Sequence, residues 1–243
     1  MPLVRTNTIE LVVFTVLVYV ATIVLQIYQP VTGGYFNVGE AIIYLAALVS
    51  SPLVAGIAGG IGAALADLST GYAVFAPGTL IIKFIEGYIA GLLVKKLRGL
   101  HGFWQALIAG GASTAAFLTV STVLWSGGIY IGPPQWLTFT FDQPYLEISI
   151  AIWVTVGIFL GALIMLMLTK KNITAGEVIS LFTAGIIMVL GYFMYEYFVS
   201  NPLTGRDPIG ALIEVPVNIG QLVAGISISL PLAAWLRKAG YFK

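Results

Sequence analysis

Cysteine is absent from this chain, histidine occurs once, and charge is scarce, with 9% of the 243 residues being Asp, Glu, Lys or Arg. Without cysteine there are no disulfides and no thiolate metal sites, and a single histidine, His101, serves poorly as a metal centre. The 11 basic and 10 acidic residues leave a formal net charge of +1 with no long basic run, which argues against nucleic acid as a partner. Signatures of catalysis are missing too. No G-x-x-x-x-G-K-[ST] phosphate loop, no H-E-x-x-H pair and no G-x-S-x-G elbow occurs. Gly56, Gly59, Gly60 and Gly62 do not have the spacing of a dinucleotide loop, so they read as small residues for close helix packing. The chain therefore reads as no enzyme, and no cofactor or metal is expected.

Apolar residues fill the space: 59% of the chain, at a mean hydropathy of +0.99. A soluble fold could not hide that much apolar surface. Crossing the hydrocarbon layer takes ~20 apolar residues per helix, so the length suits roughly six to eight crossings and leaves nothing for a second domain. Apolar stretches separated by Gly, Pro and charge give candidate spans at 9–28, 38–50, 53–68, 77–95, 103–125, 146–168, 177–199 and 209–236. The expectation is a single all-α membrane domain over residues 1–243, a polytopic bundle of about eight transmembrane helices in the lipid bilayer. The first stretch follows Arg5 as a signal peptide would, but it is long and lacks a small-residue cleavage pattern, so it reads as a retained helix. Ser50, Ser51 and Pro52 predict a tight hairpin between the second and third spans, because proline turns its predecessor away from helix.

Basic residues set the orientation, since Lys and Arg favour cytoplasmic loops. If the spans alternate, Arg5, Lys95, Lys96, Arg98, Lys170, Lys171, Arg237, Lys238 and Lys243 share one side, and a multi-pass protein of the cell membrane with both termini cytoplasmic is predicted. Glu40, Asp67, Glu147, Glu196 and Glu214 then fall near outer helix ends, and the outer loop 126–145, with its glycines and prolines, should be irregular. Lys83 and Glu86 lie roughly 9 and 14 Å below the outer start of their helix, on one face. Glu214, Asn218 and Gln221 recur at i, i+4 and i+7 on one face of the last span, just after Pro216 opens it. Such stripes cannot face lipid, so they predict an outward-facing polar cavity. Tyr72 and Phe36 are placed to stack a ring-shaped ligand. Structural alternatives are mutual neutralisation of Lys83 and Glu86 and interhelical hydrogen bonding by the two amides.

Several segments together resemble the S components of energy-coupling factor (ECF) transporters. They are Asn37-Val38-Gly39-Glu40, Ala66-Asp67-Leu68, Gly71-Tyr72, Pro77 through Lys83, Glu86-Gly87, Gly191-Tyr192-Phe193 with Glu196, and Glu214 through Asn218 with Gln221. The resemblance covers roughly residues 9–98 and 177–238. It implies a substrate-binding subunit that captures a water-soluble vitamin or precursor from outside, such as riboflavin or a thiamine-precursor-like heterocycle. The implied partners are a membrane T component and two cytoplasmic ATPase subunits, and the implied pocket lies between the first outer loop and the later helices; together with the polar stripes this makes Asn37, Glu40, Tyr72, Lys83, Glu86, Glu196, Glu214, Asn218 and Gln221 the candidate substrate-binding residues. Because the family usually has six membrane helices, 103–168 reads as an inserted pair. The Ala-x-x-x-Ala coupling motif of many members is missing from 9–28, and the small residues between Gly56 and Ala66 are a substitute coupling face. The competing reading is an ion-coupled secondary transporter of a small polar molecule, in which Lys83 or Glu86 would bind the coupling ion; no internal repeat supports it.

Overall fold

A computed structural model of the chain describes residues 8–29, 33–100, 127–169 and 173–241, with isolated positions between 104 and 122. Seven helices occur among the described residues: α1 (Thr8–Val24), α2 (Gly39–Val49), α3 (Pro52–Ser69), α4 (Ala76–Leu97), α5 (Ile150–Thr169), α6 (Ala175–Tyr195) and α7 (Ala211–Lys238). Helix α6 continues through a π turn, Glu196–Ser200, into a last turn, Asn201–Leu203. A 3-10 turn, Pro208–Gly210, leads into α7. The protein is thus a helical membrane protein, but eight crossings are not what the described residues give. Four helices are long and apolar enough to span, at Pro52–Ser69, Ala76–Leu97, Ala175–Leu203 and Pro208–Lys238. Helix α2, at 11 residues, rises only ~16 Å, about half the hydrocarbon thickness. The expected span 103–125 and the basic residues Arg5, Lys170, Lys171 and Lys243 lie outside the described residues or almost wholly so.

The hairpin between α2 and α3 forms as its sequence dictates. Ser51 has extended backbone, its hydroxyl accepts the Val54 N–H at 3.2 Å, and Pro52 occupies the first turn where no amide is needed. Helix α6 opens on a capping box, in which Thr174 and Glu177 exchange side-chain and backbone bonds. Thr174, the last residue of an Asn-Ile-Thr sequon, therefore has a structural task. Pro216 does not open the last helix; it sits inside α7, which starts at Ala211.

Glycine sets the spacing of the bundle. Added Cβ atoms on Gly56, Gly59 and Gly60 of α3 would come within 3.0 Å of the carbonyl oxygens of Phe84, Lys83 and Leu80 on α4, and one on Gly87 within 2.4 Å of the Ala55 carbonyl. Gly62 bears in the same way on Thr15 and Val18 of α1. This stripe is consumed inside the bundle, packing α3 against α4 and α1, so it is not the exposed coupling face that sequence suggested. Tyr44, fully buried, sits against Gly185 of α6 and Gly225 of α7, which draws both helices onto α2. Outward faces are apolar: Ile9, Val12, Val16, Val20 and Val24 along α1, and Leu190 and Met194 on α6, are exposed as lipid contact requires.

At one end lie Lys95, Lys96, Arg98, Arg237 and Lys238. There Arg237 pairs with buried Glu177 at 2.7 Å and donates to the Leu48 carbonyl, and Ser50 donates to Glu10. The opposite end carries short antiparallel strands. Strands β1 (Ile27–Tyr28) and β2 (Tyr35–Phe36) pair between α1 and α2. Segment 127–148 is not irregular as predicted: β3 (Gly127–Tyr130) pairs with β6 (Tyr145–Ile148), enclosing β4 (Gln135–Trp136) and β5 (Phe139–Thr140). Its alternating aromatic and β-branched residues favour strand despite the glycines and prolines, and Gly128 leaves room for the Tyr145 ring. Glu147, expected near a helix end, is on β6. The arm docks back on the bundle through Leu137 N–H to the Ser69 carbonyl and Trp136 Nε1 to the Tyr19 hydroxyl.

Candidate functional site

Beneath β2, at the strand-bearing end, the helices enclose a cavity. Its walls come from α1 (Thr22), α3 (Ala63, Asp67), α4 (Thr79, Lys83), α6 (Tyr192, Glu196) and α7 (Glu214, Asn218, Gln221), with Gly34, Tyr35, Asn37 and Phe75 from the connections. The void measures about 400 Å³ with its mouth included, of which only about 30 Å³ admits the centre of a water molecule. The cavity is therefore narrow, with free space for a water molecule or two rather than for a drug-sized ligand.

The positive centre comes from α4. Lys83, 2% exposed, is held by Glu40 of α2 and by Glu86 one turn along its own helix, at 3.1 Å. Glu86 in turn accepts from the Tyr44 hydroxyl at 2.7 Å, and the ammonium lies 5.3 Å from the centre of the Tyr192 ring. A buried ammonium between two carboxylates is the arrangement that burial demands.

Opposite, an amide relay fixes α7 to the segment before α2. Gln221 Oε1 accepts from both the backbone and the side-chain amide of Asn37, at 2.9 and 2.6 Å, while Gln221 Nε2 donates to Asn218 Oδ1 at 2.8 Å. Asn37 Oδ1 accepts from Gly39 N–H. Asn218 Nδ2 is then left buried with no partner. Among the carboxylates that line the cavity, Asp67 Oδ2 and Glu196 Oε2 share that condition. The other oxygen of Asp67 accepts from Tyr35 at 2.6 Å. Burial first, then the Asp67 charge, push the Tyr35 hydroxyl well above its ordinary range, so it stays a donor. Glu196 opens the π turn of α6, the one π segment among the described residues; such irregular turns frequently mark functional sites.

Six of the nine residues predicted for the site line this cavity: Asn37, Lys83, Glu196, Glu214, Asn218 and Gln221. Glu40 and Glu86 stand behind Lys83 as its counter-charges. Tyr72 does not reach the cavity. It lines an adjoining cleft with Tyr28, Phe75, Pro134, Gln143 and Arg206, so this vestibule shares the Phe75 ring with the cavity. Phe36 belongs to the apolar core, and Tyr35, its neighbour on the other face of the strand, faces the site instead. Thr22, Thr79 and Tyr192 were not legible as site residues; the Tyr192 hydroxyl donates to Thr79 at 3.0 Å, a pair spread over two helices. From segment 127–148 only the vestibule gains residues, Pro134 and Gln143.

A protein family described as "ECF-type riboflavin transporter, S component" matches residues 5–131, which is 127 of the 243 residues. Over 112 residues the chain is 38% identical to an uncharacterised protein in the gap 3′ region of Pyrococcus woesei, covering 46% of this chain and 75% of that one. No solved structure matches. With more than half of its length matched, and with the polar cavity inside a membrane bundle that its sequence implied, the chain belongs to the S-component family of ECF-type riboflavin transporters.

Proposed function

We propose that this protein is the substrate-capturing subunit of an ATP-dependent importer, and that it takes a water-soluble vitamin or vitamin precursor from outside into the cavity between Lys83, Glu196 and Asn218. The observation that carries the reading is the set of buried polar atoms without partners, Asn218 Nδ2, Asp67 Oδ2 and Glu196 Oε2, around one void in an apolar bundle. Leaving such groups unpaired is costly, and a ligand that supplies the missing hydrogen bonds recovers that free energy. Tyr35, Phe75 and Tyr192 add ring surfaces suited to a heterocycle. Membership of the family supports a membrane T component and two cytoplasmic ATPases as partners, and the chain's lack of a phosphate loop fits that division of labour.

Segment 103–168 adds to a core formed by 9–98 and 177–238 in this reading, and its strand arm serves the vestibule rather than the cavity. Purified chain should retain its ligand without ATP, at low micromolar affinity or tighter. Reconstituted vesicles should accumulate it only when the T component and the ATPases are present with ATP. Concentrative uptake by this chain alone, driven by an ion gradient, would establish a secondary transporter instead.

A further inference from the structure

The strand arm carries a surface that neither the cavity nor the vestibule uses. From Gly127 to Phe141 it has no charged residue, and Tyr130, Trp136, Leu137, Phe139, Phe141 and Tyr145 are each 40% exposed or more. These are not scattered singles. Tyr130 and Tyr145 lie opposite each other with ring centres 5.4 Å apart, and Trp136 pairs in register with Phe139. Contiguous exposed apolar surface marks a contact with another protein or with a membrane. We propose that the arm lies along the bilayer surface at the strand-bearing end, with its tip, Leu137 and Phe139, seated at the boundary between lipid headgroups and acyl chains. The inference does not depend on the ligand or on the capture role.

Two tethers favour lipid over a protein partner. At the base, β6 ends at Ile148 and α5 begins at Ile150, with Ile150 and Ile152 exposed in its first turn. At the tip, the Leu137 N–H donates to the Ser69 carbonyl at the end of α3 at 2.6 Å, and Trp136 Nε1 donates to the Tyr19 hydroxyl at 3.0 Å. Tyr19 stands on the side of α1 that carries Val12 and Val16, which are exposed to lipid, and roughly 8 Å short of the helix end at Val24. Both ends of the arm are thus held where the helices leave the bilayer, so the hairpin runs along the surface instead of standing up from it. Trp and Tyr are the residues enriched at that level, since each joins an apolar ring to a polar tip. Leu137 adds an independent sign. Its φ of 54° is the conformation that Asn, Asp or Gly usually supplies in a tight hairpin turn, and a leucine there gains the turn nothing. An apolar surrounding is what its exposed side chain requires. The arm's charged residues are Asp142 and Glu147, with no basic one, so burial of apolar rings and not attraction to anionic headgroups holds it down. The seat also bears on the vestibule, because Gln135 packs on Gly71, and Pro134 and Gln143 line the vestibule wall.

Single cysteines test this on the full chain, which has none of its own. Leu137→Cys, Phe139→Cys and Asp142→Cys, each carrying the fluorophore NBD, are placed in phosphatidylcholine nanodiscs, where both faces meet the buffer. Lipids bearing a nitroxide near the acyl carbonyl should quench the two tip labels several-fold more than the Asp142→Cys label. Aqueous iodide should quench the Asp142→Cys label and spare the tip. Equal iodide quenching at all three positions puts the tip in water and overturns the inference. Shielding of the tip from both quenchers puts it in a protein contact and overturns it as well. So does lipid quenching of the tip that appears only after phosphatidylglycerol is added, since headgroup charge would then be the attraction. Phe141→Cys, two residues beyond Phe139 and equally open, gives the same reading where a tip variant does not fold.

Discussion

Asn218 and Gln221 lie one turn apart on α7 and make different use of the same amide group. Gln221 is saturated by Asn37 and Asn218, whereas Asn218 keeps an N–H in reserve. Asn218→Leu should therefore weaken ligand binding by about 1–3 kcal/mol and lower the melting temperature of the empty protein less than Gln221→Leu does, because it strands one amide donor of Gln221 while removing the N–H kept for the ligand. Gln221→Leu should lower both, because it strands two amide donors of Asn37 and frees the segment that leads into α2. Titration and thermal denaturation of the two variants separate these roles; unchanged affinity in Asn218→Leu would remove it from the site. The polar residues of α4 and α7 were legible because a charge or amide within an apolar run has few reasons to be there. Tyr35, Thr79 and Tyr192 were not, since Thr and Tyr are ordinary tenants of membrane helices and interfaces. Nor could sequence distinguish Asn218 from Gln221, because which amide is left over depends on Asn37, 184 residues away from Gln221.

Among the elements, α3 and α4 show most directly how composition fixes geometry. Their axes approach closely because glycines on each face bare carbonyls of the other, and Gly87 against Ala55 is the tightest of these contacts on α4. Gly87→Ala should separate the pair, lower the melting temperature by several degrees and weaken ligand binding, since Lys83 and Glu86 ride on the same helix. Helix propensity alone predicts the opposite sign, because alanine is the better helix former by about 1 kcal/mol. A stabilised variant would show that the bundle relaxes around the added methyl. Most helices were readable as apolar runs, down to the break at Ser51 and Pro52, but the opening of α7 was misplaced at Pro216 and eight crossings are not what the described residues give. The strand arm was not. Its pairing is set by tertiary docking on Ser69 and Tyr19, and glycine and proline in the segment pointed to irregular chain.

For the whole molecule, the arrangement of charge along the bundle axis predicts which end faces which compartment. Lys95, Lys96, Arg98, Arg237 and Lys238 collect at the end opposite the strands, while the cavity and vestibule lie at the strand-bearing end. Basic side chains resist translocation, so the strand-bearing end should be exterior and the basic end cytoplasmic. Capture from outside requires that same polarity, because the vestibule with Tyr72 and Arg206 then meets the external solution first. The absence of cysteine makes the question clean to test, as any single introduced thiol is the only one present. Asp142→Cys on the exposed arm and Lys238→Cys at the end of α7 stand at opposite ends and are both solvent-accessible. In intact cells a membrane-impermeant maleimide should label the first and spare the second, and permeabilised cells should label both. Labelling of Lys238→Cys alone would invert the molecule and turn the cavity toward the cytoplasm, which capture from outside does not survive. Labelling of both in intact cells would place the two ends in one compartment, contrary to a bundle whose long helices span the bilayer.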